Sequence, residues 1–223
     1  MKTEGPLGKV DLSPWGLRCV RISAFVCLLA VLGGIAAPAQ RFREDWRHLD
    51  GSSLDREAHL DHSLGDAPLT SEERAQIYQV IDDKTVHDSF TDGQQDEERE
   101  SVMSARVGSI VLAKDGSQQV VVQGPGLFCG ANGNCSIWIF VRRHGSLQLA
   151  LETGGGAFIV RSTSNHGYRD VATGWHMSSD EERFNVYSWN GIKYQLVDCY
   201  TAKFDQENRG KPPVIAECGM KPP

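Results

Sequence analysis

Residues 184–197, which read FNVYSWNGIKYQLV, decide the fold class of this chain. Two runs rich in β-branched and aromatic residues flank the dipeptide Asn190-Gly191. Asn-Gly between two such runs is a strong signal for a two-residue β-hairpin, because both residues tolerate positive φ angles. Aromatic residues in both arms can pair across the strands. The stretch therefore predicts two adjacent antiparallel strands.

The same pattern extends upstream to Arg106. Short apolar runs alternate there with turn signals such as Asp115-Gly116, His144-Gly145 and the three glycines at 154–156. Regularly spaced short strands of this kind indicate an antiparallel β domain. We expect a mainly β fold, either a sheet or sandwich-like arrangement or a blade-like one, with about seven or eight short strands.

One helix is predicted before the strands. Thr70 and Glu73 have the spacing of a capping box at a helix start. Apolar residues then recur at helical spacing: Ala75, Ile77, Tyr78 and Ile81. The strongly charged stretch over residues 92–100 predicts a solvated loop or a short exposed helix. The helix and the strands together define a domain over residues 70–204.

The segments on either side of this domain differ in composition. Residues 40–69 are polar and rich in Asp, Arg, His and Ser, which predicts a flexible segment. Residues 205–223 contain Pro and Lys and predict an irregular C-terminal tail. Their attachment to the domain is expected to depend on Cys218.

Residues 1–39 have the three parts of a secretory signal peptide. Basic residues come first: Lys2, Lys9, Arg18 and Arg21. Residues 22–35 are nearly all apolar or small, and Ala37-Pro38-Ala39 fits the small-x-small rule for cleavage before Gln40. The apolar run is shorter than the ~20 residues that span a bilayer. We therefore expect a periplasmic or secreted protein, with an uncleaved anchor as the alternative.

The net charge of the chain limits the kinds of partner that it can bind. Loss of residues 1–39 leaves 19 of the 23 basic and 27 of the 29 acidic groups, a formal charge of −8. Such a chain is repelled by phosphate backbones, so no nucleic-acid partner is expected. No later segment is apolar enough to cross a membrane. A protein or an envelope polymer is the expected partner.

Four cysteines follow the signal segment, and an even count in an exported chain indicates two disulfides. Cys129 and Cys135 flank a five-residue loop rich in Gly and Asn, whose ends can meet easily. This favours the pairs Cys129–Cys135 and Cys199–Cys218, although three pairings are possible. The alternative, a four-cysteine zinc site, lacks the paired CxxC spacing, so no metal is predicted.

Two sets of residues are candidates for a site. His166, Asp170 and His176 supply two imidazoles and a carboxylate, which could hold a metal or act as an acid–base pair. Trp175, Tyr187 and Trp189 lie near loops or hairpin ends and could line a recognition surface. The sequence contains neither Gly-x-Ser-x-Gly nor HExxH, so no catalytic residue and no cofactor is predicted.

Three stretches resemble a recurring exported domain of the bacterial envelope that has no known activity. They are LFCGANGNCSIWIF at 127–140, NHGYRDV at 165–171 and YSWNGIKY at 187–194. The segments at 112–116 and 167–171 are also similar to FG-GAP blades, which bind calcium. Each of these two loops offers one carboxylate beside a basic residue, short of the several oxygen ligands that calcium needs.

These observations predict an exported, non-catalytic binding domain of the bacterial cell envelope. One alternative is a metal-dependent enzyme that uses His166, Asp170 and His176. A second is an inhibitor of a secreted hydrolase such as a lysozyme, and a third is a structural element of an envelope assembly.

Overall fold

The computed structural model describes residues 54–82, 95–207 and 211–219. All of them belong to one unit, residues 39–223. The predicted signal peptide and residues 40–53 lie outside the described residues. In the described part of the chain, no helix is long and apolar enough to cross a membrane.

The described strands form two antiparallel five-stranded sheets, each with sequential neighbours. The first sheet consists of β1 (His62–Ser63), β2 (Arg106–Val111), β3 (Gln118–Gln123), β4 (Cys135–Arg143) and β5 (Ser146–Gly155). The second consists of β6 (Ala157–Asn165), β7 (Tyr168–His176), β8 (Glu181–Trp189), β9 (Tyr194–Lys203) and β10 (Val214–Glu217). The mainly β, sandwich-like prediction is confirmed. The strands not foreseen are β1 and β10, which are too short to carry a clear pattern.

The hairpin at residues 184–197 is confirmed. Trp189 pairs with Tyr194, and the Asn190 amide donates a hydrogen bond to the Lys193 carbonyl at 3.0 Å. The Asn190 side chain accepts hydrogen bonds from the Ile192 and Lys193 amides, and Gly191 has a φ of 99°. Asparagine and glycine thus supply the local contacts and the positive φ that this turn requires.

Among the residues that the structure describes, three α-helices come before β2 in the chain: α1 (Leu54–Ala58), α2 (Ser71–Ile81) and α3 (Gln95–Met103). The capping box of α2 is confirmed, because Thr70 and Glu73 exchange hydrogen bonds of 3.0 and 3.1 Å. The Arg142 guanidinium, 2.7 Å from Glu73, and the Thr70 amide together lower the pKa of this glutamate. The salt bridge therefore joins the start of α2 to β4 of the first sheet.

Apolar residues occupy both faces of the first sheet. One face packs against the second sheet and forms the central core, with Val121, Ile139, Phe158 and Val171 fully buried. The other face is covered by α2 and α3, with these buried residues among others: Ile77, Ile81, Val102, Trp138 and Phe140. The strand alternation of side chains explains how neighbouring residues of β4 contribute to different layers.

Two boundaries predicted from composition need correction. Residues 54–69 are not a flexible segment: Leu54, Ala58 and Leu60 are buried in the central core, and β1 pairs with β2. The few apolar residues in this polar stretch are spaced so that they all reach the core. The C-terminal tail is likewise not wholly irregular, because β10 pairs with β9 from Val214 to Glu217.

The two sheets are joined at both ends of β7. At its start, Ala113 bridges to Tyr168 and the Lys114 amide donates to the Gly167 carbonyl at 2.8 Å. At its end, the Gly156 amide donates to the Gly174 carbonyl at 2.8 Å, where β5 passes into β6. The first set of links holds the start of β7, and the second holds its end, which carries the candidate site.

Candidate functional site

The predicted cluster of His166, Asp170 and His176 does not form. His166 lies in the turn before β7, with a φ of 45°, and His176 is the last residue of that strand. At ~3.3 Å per residue, the strand separates the two histidines by more than about 25 Å. In the described part of the chain, no group of three or more His, Cys, Asp or Glu could hold a metal ion. The structure therefore gives no basis for the metal-dependent enzyme built on these residues.

The three candidate aromatic residues do not form one exposed surface. Trp189 is only 1% exposed and stacks on Tyr168, with ring centroids 4.4 Å apart. Tyr187 is half-buried, and its hydroxyl lies 2.9 Å from Thr153 Oγ1. Trp175 is also half-buried, and its ring lies over Gly154, where a Cβ atom would come within 2.8 Å. Trp189 is a core residue, and the expectation of a recognition surface does not hold for it.

His176 instead pairs with a residue that the sequence did not single out, Glu182 of β8. The two residues are opposite each other in the β7–β8 ladder, and Nδ1 of His176 lies 2.9 Å from Oε1 of Glu182. Burial raises the pKa of Glu182, and the nearby His176 opposes this shift. The imidazole rests on Gly156, where a Cβ atom would lie 2.9 Å from its Nε2. The last glycine of the 154–156 run therefore leaves room for His176.

The loop between Cys129 and Cys135 holds the backbone of His176. Asn134 accepts a hydrogen bond from the His176 amide at 3.0 Å and donates one to the His176 carbonyl at 3.2 Å. Asn132 donates a second hydrogen bond to the same carbonyl at 3.1 Å. The Cys129–Cys135 disulfide closes the loop, so its asparagines are presented to the end of β7. The disulfide loop thus acts as a clamp on the backbone of His176.

His176 and Glu182 line a cleft of about 800 Å³, which we call the His176 cleft. Its other walls come from the disulfide loop, the β7–β8 turn and the segment after β9; they include Asn132, Ser179, Phe204, Gln206 and Lys211. Within these walls, Gln206 donates a hydrogen bond to the Ser179 hydroxyl at 2.8 Å. Lys211 forms an ion pair with Asp205 at 3.3 Å. Much of the polar lining is therefore held in place before any ligand binds.

The second disulfide supports the wall formed by the segment after β9. Cys199 in β9 is bonded to Cys218, which follows β10, and the Cys218 amide donates to the Cys199 carbonyl at 3.1 Å. This bond ties β10 to β9, so both ends of the segment containing Phe204 and Lys211 are anchored to the sheet. Both predicted disulfide pairings are confirmed, and each closes a segment that contributes residues to the His176 cleft.

Sequence reasoning found His176 but missed Glu182 and Asn134. Their contacts depend on the β7–β8 register and on where the disulfide loop folds back, which no local pattern fixes. Chemically, the cleft offers an acid–base pair, amide groups, an ammonium group and the phenyl ring of Phe204. In comparisons with known proteins, the chain matched no protein-family model, no curated protein and no solved structure.

Proposed function

We propose that this chain is an exported, non-catalytic binding domain of the bacterial cell envelope and that it binds its partner in the His176 cleft. The observation that carries the proposal is that both disulfide-closed segments line one cleft: Asn132 lies between Cys129 and Cys135, and Phe204 and Lys211 lie between Cys199 and Cys218. Pre-organised walls reduce the ordering cost of binding. Disulfides also form and persist in oxidising compartments, in keeping with export.

The lining favours an envelope polymer with many hydroxyl groups as the partner. Amide, carboxylate, imidazole and ammonium groups line the same cleft as the ring of Phe204, so the cleft combines hydrogen-bond donors and acceptors with an apolar surface. Hydroxyl groups can donate and accept in such a lining, while the less polar face of a sugar ring packs on an aromatic ring. The volume of about 800 Å³ lies within the usual range for ligand sites.

Binding can be tested by NMR on protein recovered from cells that express the full chain. Soluble glycan oligomers from the envelope are titrated in, and amide shifts are expected around Asn132, His176 and Lys211. The double variant Gln206→Ala, Lys211→Ala should weaken binding by about tenfold, since it removes polar contacts. Lys193→Ala, in the turn at the far end of β8, is the matched control and should change nothing.

The same experiment separates the alternatives. Shifts away from the cleft, or no binding of any oligomer, would overturn the proposed site. Cleavage of the oligomers would contradict a non-catalytic role and point to the His176–Glu182 pair as an acid–base pair. Tight binding of a purified secreted lysozyme in place of glycans would favour the inhibitor function, for which the acidic charge of the chain is suited. Mass spectrometry of the recovered protein should show a chain that begins at Gln40.

A further inference from the structure

A second cavity lies between α2 and α3, and it shares no lining residue with the His176 cleft. It has a volume of about 410 Å³. Its lining, which defines the interhelical pocket, consists of Ser71, Arg74, Ala75, Tyr78, Arg99 and Met103. Two arginines, one from each helix, thus line the same small cavity.

Arg74 is held in place but is incompletely paired. Its Nη2 donates a hydrogen bond to the Ala67 carbonyl at 3.0 Å, which fixes the position of the guanidinium. Its Nε is shielded from solvent, and among the described residues no atom accepts a hydrogen bond from it. Buried polar groups are normally paired, so the unpaired Nε leaves the Arg74 guanidinium incompletely compensated. An anion beside the guanidinium would compensate this half-buried charge.

Tyr78 and Arg99 complete the polar side of the pocket. Burial raises the pKa of Tyr78, the acidic neighbours Asp82 and Glu98 add to this shift, and Arg99 opposes it. The phenol is therefore a neutral hydrogen-bond donor at physiological pH. Arg99 is exposed on α3, where its guanidinium can turn toward a bound anion.

Apart from Ser71, which carries a hydroxyl group, the remaining lining is apolar. Ala75 of α2 and the flexible thioether of Met103 of α3 face the same cavity as the two arginines. A methionine adapts to irregular apolar groups, and arginine binds a carboxylate through two parallel hydrogen bonds. We propose that the interhelical pocket binds an organic anion, namely a carboxylate attached to a short apolar chain.

Calorimetric titration of the protein recovered from cells that express the full chain tests this site. Sodium octanoate represents a free acyl carboxylate, N-acetyl-leucine represents the C-terminus of a peptide, and inorganic phosphate represents an anion with no apolar part. We expect one binding site per chain for at least one of the two carboxylates. The one that binds more tightly shows whether the ligand is a free acyl carboxylate or the C-terminus of a peptide. Binding of phosphate as tight as that of both carboxylates would overturn the apolar part of the proposal.

Substitutions locate the binding. Arg74→Gln should weaken binding of the tighter of the two carboxylates by about tenfold or more, because a charge-assisted hydrogen bond is lost. Arg99→Gln should have a smaller effect in the same direction, and Arg74→Lys should restore part of the affinity. Lys114→Gln, in the β2–β3 turn, removes a positive charge elsewhere and should leave the affinity unchanged. Binding that both arginine variants retain, with their circular dichroism unchanged, would overturn the site, as would no carboxylate binding at all.

Discussion

The two ends of β7 are built in opposite ways. At the first end, Tyr168 stacks on the buried Trp189, Tyr194 approaches the same ring edge-on, and the Arg143 guanidinium lies 5.1 Å above it. At the second end, His176 pairs with Glu182 beside an open cleft, and its backbone is held by asparagine side chains. We call these the closed end and the open end.

The two ends of β7 are held rigid by different interactions. The closed end is held by apolar burial, which gives stability without covalent help. The open end exposes a polar cavity, so little burial is available there, and two disulfides and an amide clamp take its place. A binding site can be rigid without being part of the core if local cross-links restrict its walls.

The largest effect should come from the closed end. Trp189→Ala removes a fully buried indole and leaves a cavity, so we expect the free energy of unfolding to fall by about 3–5 kcal/mol. Urea denaturation followed by circular dichroism measures this change. His176→Ala at the open end is the comparison and should cost less than about 1 kcal/mol, since this side chain is 45% exposed. Equal costs would remove the distinction between the two ends.

Loss of the disulfides should have the next largest effect. The Cys199–Cys218 bond closes a loop with a sequence separation of 19, and Cys129–Cys135 one of 6. Removing a disulfide that closes a longer loop gives the unfolded chain more entropy. The free energy of unfolding should therefore fall by about 3 kcal/mol when Cys199 and Cys218 are replaced by serine, and by about 2 kcal/mol when Cys129 and Cys135 are. Thermal unfolding of both variants gives the order. A reversed order would show that the short loop stabilises the open end through its native contacts more than through chain entropy.

Removal of the amide clamp should have a smaller effect. Asn134→Ala deletes two of the three side-chain hydrogen bonds to the His176 backbone. We expect the free energy of unfolding to fall by about 1–2 kcal/mol, with faster amide exchange at residues 175–177. Asn132→Ala removes one hydrogen bond to the same carbonyl and should cost about half as much. Hydrogen exchange monitored by NMR distinguishes the two. Unchanged exchange at His176 in Asn134→Ala would mean that the disulfide loop does not restrain the open end.

Local patterns were sufficient for most of the fold but for little of the site. The strands, the Asn190-Gly191 turn and the capping box at Thr70 depend on neighbouring residues, so the sequence predicts them directly. The contacts of His176 join residues 42 positions apart through Asn134, and Glu182 meets it only through the β7–β8 register. Trp189 was misplaced for the same reason, because the ring of Tyr168 that covers it belongs to another strand.

The smallest predicted effect concerns the charge of Glu182 at the open end. Because burial raises its pKa in the folded chain, the folded state binds this proton more tightly than the unfolded state does. Its contribution to stability is therefore complete below the ordinary glutamate pKa and declines as the pH rises from that value through the raised one. Glu182→Gln keeps an oxygen that can accept a hydrogen bond from His176 but cannot ionise. The stability of the native chain relative to this variant should accordingly fall as the pH rises from about 4, the ordinary glutamate value. Urea unfolding of both proteins at a series of pH values from about 4 upward measures the difference. A difference that rises with pH would show that attraction to a protonated His176 outweighs burial, and the open end would then be held by an ion pair.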